Sequence, residues 1–257
     1  MAQPGRQRNE ATAGGRHIGP AAARKEPMAA IKTKPKAAAA PTAPAPACID
    51  AVRTPQYWRE ACEHLARRDR VLKRLIPKYG DNCMQSRGDA FVTLARSIVG
   101  QQISVKAAQA VWDRFEALPR KLTPAAVLKL KVDDMRAAGL SARKVEYLVD
   151  LALHFDNGLL HVGDWPGMDD EAIVAELIAI RGIGRWTAEM FLMFHMLRPD
   201  VLPLDDVGLI NSISLNYFSG EPVSRSDARE VSQAWRPWRS VATWYLWRSL
   251  DATPVAY

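Results

Sequence analysis

The sequence predicts an all-α protein. No stretch sustains the apolar–polar alternation of a half-buried strand, apolar residues recur three and four apart in successive runs, and Gly, Pro, Ser and Asp stand where those runs stop and start. The patterning begins near Thr54. Before it, residues 1–50 are rich in Ala, Pro and Lys and lack apolar periodicity, which predicts a disordered tail. Residues 1–47 hold eight Lys or Arg against two Glu, so +6 of the +7 net charge of the 257-residue chain sits there. Such an arm either raises affinity for a polyanion by counterion release or is a solubilising extension only.

Tyr57, Ala61 and Leu65, then Val71, Leu72 and Leu75, predict two short helices. The charged bend joining them, Arg67-Arg68-Asp69-Arg70, reads as a solvated face, and Pro77 to Asp81 breaks the pattern. Asp89 to Val99 is expected as a strongly apolar helix through Phe91, Leu94, Ala95 and Ile98, ending at Gly100. Gln101-Gln102-Ile103-Ser104 opens the next, running from Val105 to Leu118. Two adjacent Gln are not core material, and the residues alone suggest a surface pair. Pro119 and Pro124 punctuate, and Ala125 to Leu130 makes a short turn of helix. Gly139 ends one helix and Ser141 caps another, whose Leu148, Leu151, Leu153 and Phe155 face a core. Arg143 and Lys144, near its start, read as a solvated face sooner than as phosphate ligands.

After a loop from Gly158 to Gly167, residues 169–209 carry the most information. Ile173, Leu177 and Ile180 at helical spacing predict a helix ending at Ile180, with Asp169 and Asp170 as candidate caps. Gly182 and Gly184 then free the backbone to turn, and Trp186 to Leu197 resumes helical spacing through Met190, Phe191 and Phe194. In such a turn, bare glycine backbone and the first amides of the next helix can approach a phosphate closely, with the helix N-terminus adding positive potential. On its own the Gly-x-Gly turn is also compatible with a plain helical hairpin. Pro199 stops the second helix, and an apolar loop then delivers Asp205 and Asp206 to the start of another. One acid can cap while the other acts, and the residues leave that division open. A helix from Leu209 to Phe218 and one capped by Ser226 and running to Trp235 follow. The last stretch concentrates Trp235, Trp238, Trp244 and Trp247, a spacing more often of core than of pocket.

Together, IRGIGRWTAEMF and LPLDDVGL resemble the helix-hairpin-helix DNA glycosylase superfamily, and within it the 3-methyladenine DNA glycosylase II branch. The resemblance covers roughly residues 54–250 and is strongest at Gln101–Ser104, Arg181–Leu209 and Trp235–Trp247. It implies a two-lobed helical body over 51–257 without an N-terminal β domain. Lobe one would be about 51–96 plus 210–257, and lobe two about 97–209 with the helix-hairpin-helix at 170–197. It also implies Asp206 as the catalytic carboxylate, leaving Asp205 as the cap, although a shorter spacing from Trp186 would favour Asp205.

The same resemblance assigns Trp186, Trp247 and Met190 to a base pocket. Met190 departs from an aromatic residue found there in a relative, which puts the substrate range in question. DNA contacts fall on Gln101, Gln102, Ser104, Gly182, Ile183, Gly184, Arg185 and Thr187, with Gln102 as the side chain inserted into the base stack. Backbone carbonyls of Ile178, Ile180 and Ile183 become holders of a structural monovalent cation. No cofactor is required, and Cys48, Cys62 and Cys83 lack the spacing for an iron–sulfur cluster. Trp186 stands where strand-cutting members carry a Schiff-base lysine, so base removal without lyase activity is expected.

The implied activity is base flipping and hydrolytic release of alkylated purines of the 3-methyladenine and 7-methylguanine type, by a monomer acting on double-stranded DNA. A non-catalytic hairpin module, or a glycosylase for oxidised or deaminated bases, are the alternatives. No apolar run approaches a membrane span and none near the N-terminus resembles a secretory signal, so a cytoplasmic protein, nucleoid-associated in a bacterium, is expected.

Overall fold

The computed structural model describes residues 55–79, 82–86 and 88–250. The expected basic tail lies outside them, as does Cys48. Among the described residues there are twelve α-helices and no β-strand, as the periodicity predicts. They are α1 (Trp58–Arg68), α2 (Arg70–Leu75), α3 (Ala90–Gly100), α4 (Val105–Glu116), α5 (Pro124–Val127), α6 (Val132–Ala137), α7 (Ala142–Asp156), α8 (Asp170–Ile178), α9 (Arg185–Phe194), α10 (Val207–Tyr217), α11 (Arg225–Val231) and α12 (Arg239–Leu250).

Polar side chains start most of them. Asp89, Ser104, Thr123, Ser141 and Asp169 each accept from a backbone amide of the first turn, which satisfies a donor that has no partner inside the helix. Each such cap stabilises its helix by about 1 kcal/mol. The helices pack in two groups. In one, α12 lies against α1, α2 and α10; in the other, α3 packs on α4, α7 and α9, α7 also covers α5 and α6, and α8 lies on α9. From Ser240 to Leu246 every residue of α12 is buried, so this helix is a central post and not an amphipathic surface element.

Several expectations are corrected. The bend between α1 and α2 is not a solvated face throughout. Asp69 is 8 % exposed, and its carboxylate accepts from Val71 N at 2.8 Å, Leu72 N at 2.9 Å, Tyr217 Oη at 2.8 Å and Trp235 Nε1 at 3.1 Å. Four donors offset the cost of taking the charge out of water, and they tie α2 to α10 and to the tryptophan-rich end. Burial, reinforced by the neighbouring Asp69 charge, pushes the Tyr217 phenol well up, which keeps it the donor.

The cap of α11 is Ser224, not Ser226: Ser224 and Asp227 exchange side-chain-to-backbone bonds in a capping box, and the α-helix ends at Val231 before a 3-10 turn, Ser232–Trp235. In α7, Leu148 and Leu151 are buried but Leu153 is exposed, because the two-residue step from Leu151 turns it off the core face. Likewise α8 ends at Ile178 and α9 at Phe194, each earlier than the apolar spacing suggests. Leu197, at φ 56, and backbone bonds from Met196 N to Phe191 O and Arg198 N to Leu192 O close α9 before Pro199 is reached.

Candidate active site and DNA interface

The loop from Arg198 to Asp206 is pinned by the start of α12. Ser240, fully buried, donates its hydroxyl to Arg198 O at 2.6 Å and accepts from Val201 N at 2.9 Å. Arg239 clasps Asp200 through Nε to Oδ1 at 2.6 Å and Nη2 to Oδ2 at 2.9 Å, with a further bond to the Asp200 carbonyl at 2.7 Å. Bidentate pairing of this kind fixes orientation as well as distance. Asp206 N then closes on Pro203 O at 3.0 Å, which presents the Asp206 side chain at the head of α10.

There the carboxylate meets three donors from three helices. Oδ1 accepts from Leu209 N of α10 at 2.6 Å and from Trp247 Nε1 of α12 at 2.7 Å, and Oδ2 accepts from Trp186 Nε1 of α9 at 2.9 Å. Gly208 makes the approach possible: a Cβ there would stand 3.0 Å from Asp206 Oδ1 and 3.3 Å from both Cδ1 and Nε1 of Trp247. Asp206 is therefore the cap as well as the acid that faces both tryptophans. Asp205, expected to be the cap, instead points outward and pairs with Arg225 Nη2 at 2.6 Å, because the backbone turn at Pro203 puts the two neighbouring side chains in different directions.

Trp247 also stacks on Phe194 of α9, with centroids 6.0 Å apart and planes 16° from parallel, which covers one indole face. Trp186 is 40 % exposed and Met190 is buried one turn behind it. Phe194 was not singled out from sequence as a pocket residue. Its spacing of four from Met190 and eight from Trp186 places all three on one side of α9, and that signal was available.

The hairpin has the form expected for phosphate contact, with different roles for its residues. Gly182 adopts φ 85, and a Cβ there would come 2.2 Å from the Tyr147 ring, so only glycine fits. Gly184, at φ −93, needs no such freedom; it caps α9 without any side-chain bond, and a Cβ on it would meet nothing within 4 Å. The space beside Gly184 at the head of α9 is thus open, and the first-turn amides of a helix have no acceptor within it.

Two side chains expected at DNA are otherwise engaged. The Arg185 guanidinium bonds Glu171 through Nη1 at 2.9 Å and Nη2 at 2.5 Å and bonds Glu189 through Nε at 3.0 Å; Thr187 is 8 % exposed. Both can offer DNA their backbone amides. Ile183 is buried, and its N–H is spent on Ile180 O at 3.1 Å. Gln101 turns inward, donating Nε2 to Gly182 O at 2.8 Å, while Gln102, at φ 59, and Ser104, the α4 cap, are exposed. Lys144 is not simply solvated either: its Nζ donates to Val99 O at 2.8 Å, and desolvation lowers its pKa.

Glu189 sits on the adjoining side of α9, 5 % exposed, with Oε2 lacking a hydrogen-bond partner. Burial pushes its pKa up to about 7 against the opposing pull of Arg185. It lines a polar cleft of about 380 Å³ with Leu202 and Leu204 of the loop, Arg229 and Arg239. Asp206, Trp186 and Trp247 do not border that cleft.

Among the described residues no cluster of three or more His, Cys, Asp or Glu is placed to hold a metal. The Ile180 carbonyl already accepts from Ile183 N at 3.1 Å, closing the hairpin turn. Ile178 ends α8, where last-turn carbonyls lack partners inside the helix. A set of neutral carbonyl oxygens without acids suits a monovalent cation better than a divalent one.

A glycine-turned helical hairpin whose second helix meets a carboxylate held by two indoles is the arrangement of a helix-hairpin-helix protein. Residues 95–239 match the family described as HhH-GPD superfamily base excision DNA repair protein, and the chain belongs to that family. It is 31 % identical over 193 residues to DNA-3-methyladenine glycosylase 1 of Schizosaccharomyces pombe, covering 72 % of this chain and 85 % of that one. Among solved structures it is similar to the S. pombe 3-methyladenine DNA glycosylase (Mag1) in complex with abasic DNA, at 30 % identity and TM-score 0.64, over 77 % of this chain and 100 % of that one. It is also similar to the DNA-3-methyladenine glycosidase of Bacillus halodurans, at 32 % identity and TM-score 0.70, over 79 % and 93 % of the two chains.

Proposed function

We propose that this chain is a monofunctional DNA glycosylase that flips an alkylated purine out of duplex DNA and hydrolyses its N-glycosidic bond through Asp206. The observation that carries the reading is the Asp206 carboxylate held by Trp186 Nε1 at 2.9 Å and Trp247 Nε1 at 2.7 Å. A carboxylate so fixed is preorganised to face positive charge developing at C1′.

Cleavage of the C1′–N bond sends its electron pair to the base and leaves oxocarbenium character on the sugar. A purine alkylated at N3 or N7 is cationic, so it departs as a neutral molecule and needs no general acid. Water then adds to C1′ and loses a proton, leaving an abasic site. Stacking against the indoles of Trp247 and the exposed Trp186 would favour a cationic base over a neutral one by about 0.5–2 kcal/mol. With Trp186 where a Schiff-base amine would have to stand, the strand remains intact.

In the same reading, the two helix groups form lobes on either side of the Asp206 loop. Phosphates lie at the α9 amides and Gly184, and Gln102 fills the gap left by the flipped base, offsetting part of the few kcal/mol of unstacking. The carbonyls of Ile178, Ile180 and Ile183 would hold a monovalent cation, which would supply positive charge beside the hairpin. The protein acts as a monomer in the cytoplasm and has no other cofactor.

The test is release of 3-methyladenine and 7-methylguanine from methylated duplex DNA, with hot alkali added only afterwards. Base release with strand breaks only after alkali is expected. A folded, DNA-binding protein that releases neither base overturns the reading.

A further inference from the structure

Gln101 and Gln102 are neighbours that face opposite ways. Gln102 projects into solvent from a left-handed backbone conformation, φ 59, which a non-glycine residue holds only when its surroundings enforce it. Gln101, half-buried, spends its amide on the carbonyl of Gly182 in the hairpin, at 2.8 Å. The turn that bears Gln102 and the hairpin that opens onto phosphate are thus joined by a direct hydrogen bond.

Both ends of that bond rest on α7. Lys144 Nζ holds Val99 O, two residues before Gln101, at 2.8 Å. The Tyr147 ring lies against Gly182, where it leaves no room for a Cβ. Asp150 accepts from Arg181 N at 2.8 Å and from Arg181 Nε at 3.2 Å, which secures the residue just before Gly182. Lys144, Tyr147 and Asp150 are three apart and follow one another along the helix. One helix therefore carries both DNA-facing turns, and Gln101 closes the span between them.

We infer that Gln101 is a positioning residue whose hydrogen bond to Gly182 sets the depth at which Gln102 enters the base stack once the hairpin has gripped a phosphate. The inference rests on the proposed placement of Gln102 and the hairpin on DNA. A wedge offsets unstacking only if it arrives at the right distance from the gripped phosphate. A tie between backbone and amide fixes that distance without touching DNA.

The experiment uses the full chain and a duplex carrying a stable tetrahydrofuran abasic analogue beside 2-aminopurine, whose fluorescence rises when its stacking is broken. At saturating protein, Gln101→Ala should lower the insertion equilibrium about three- to tenfold, the size of one net hydrogen bond. Affinity for undamaged duplex should stay at the wild-type value, and the thermal midpoint should fall by no more than the few degrees that one hydrogen bond is worth. Gln101→Met, of similar length but without a donor, should behave in the same way and serves if the Ala variant loses stability. Wild-type fluorescence in Gln101→Met overturns the proposal, and so does a parallel loss of undamaged-duplex affinity, which would make Gln101 a DNA contact. Gln102→Ala is the control: if it leaves the fluorescence unchanged, the placement of the wedge is wrong, whereas an effect there without one at Gln101 defeats only the tie. Since the readout needs no base release, it does not depend on which lesion is excised.

Discussion

Trp247 places its indole nitrogen 2.7 Å from Oδ1 of Asp206, on the same oxygen that caps α10 through Leu209 N. The bond spans 41 residues of sequence and joins the central post of the fold to the head of the helix that follows the apolar loop. A carboxylate in such a grip cannot rotate without breaking either a cap or an indole bond, and the consequences can be measured.

Asp206→Asn keeps an oxygen to cap α10 but loses the charge. Single-turnover base release should fall by about 10³-fold or more, the scale of removing a preorganised electrostatic group, while affinity for abasic-analogue DNA stays within a few-fold. Asp205→Asn should leave release within a few-fold of wild type, because Asp205 only pairs with Arg225 on the surface. The opposite ranking in a rapid-quench assay would move the chemistry to Asp205.

Gly208→Ala tests the closeness of the grip. The added methyl would press on Asp206 Oδ1 at 3.0 Å and on Trp247 Nε1 at 3.3 Å, forcing the bond between them to lengthen. Base release should drop about tenfold with the fold retained, as sub-ångström displacement of a catalytic group does. Unchanged rates, with far-UV circular dichroism matching wild type, would show that the indole bond is dispensable.

Glu189 predicts a pH-dependent stability. Its pKa is raised from 4.5 to about 7, so the folded state holds a proton that the unfolded state releases. Its contribution is fully present below pH 4.5 and is lost as pH rises through about 7. Glu189→Gln removes that titration and should be more stable than wild type at pH 8 by about 1–3 kcal/mol, with the difference shrinking toward pH 5. Denaturant melts at the two pH values read it directly. A constant difference would mean that Arg185 holds the carboxylate ionised throughout.

Asp69→Ala removes the α2 cap and leaves the Tyr217 hydroxyl and Trp235 indole N–H without their acceptor. Stability should fall by about 3–5 kcal/mol, a core-sized loss from a residue in a charged bend. A thermal midpoint within a degree or two of wild type would contradict it.

Much of this was legible in the sequence. The helix order, the caps at Ser141 and Asp169, the hairpin at Gly182 and the acidic pair at the head of α10 follow from apolar spacing and from the residues that start and stop helices. Trp186, Trp247 and Asp206 came from the resemblance, and the structure brings the three within hydrogen-bond reach. Arg185 was less legible: a guanidinium beside a glycine turn of this kind looks like a DNA ligand until Glu171 and Glu189, 14 residues before and 4 after it, are seen to claim it. The same blindness hid Asp69, which in sequence is one charge among three arginines.

By itself the sequence determined helical patterning, its punctuation and a tight glycine turn, because those depend on residues within a few positions of one another. The tertiary structure alone decided which neighbouring acid faces the tryptophans, which glutamine points outward and which charges are buried. Those outcomes depend on directed bonds between residues 20, 41, 81 and 148 positions apart, where donor and acceptor geometry sets the partner and no local periodicity records it.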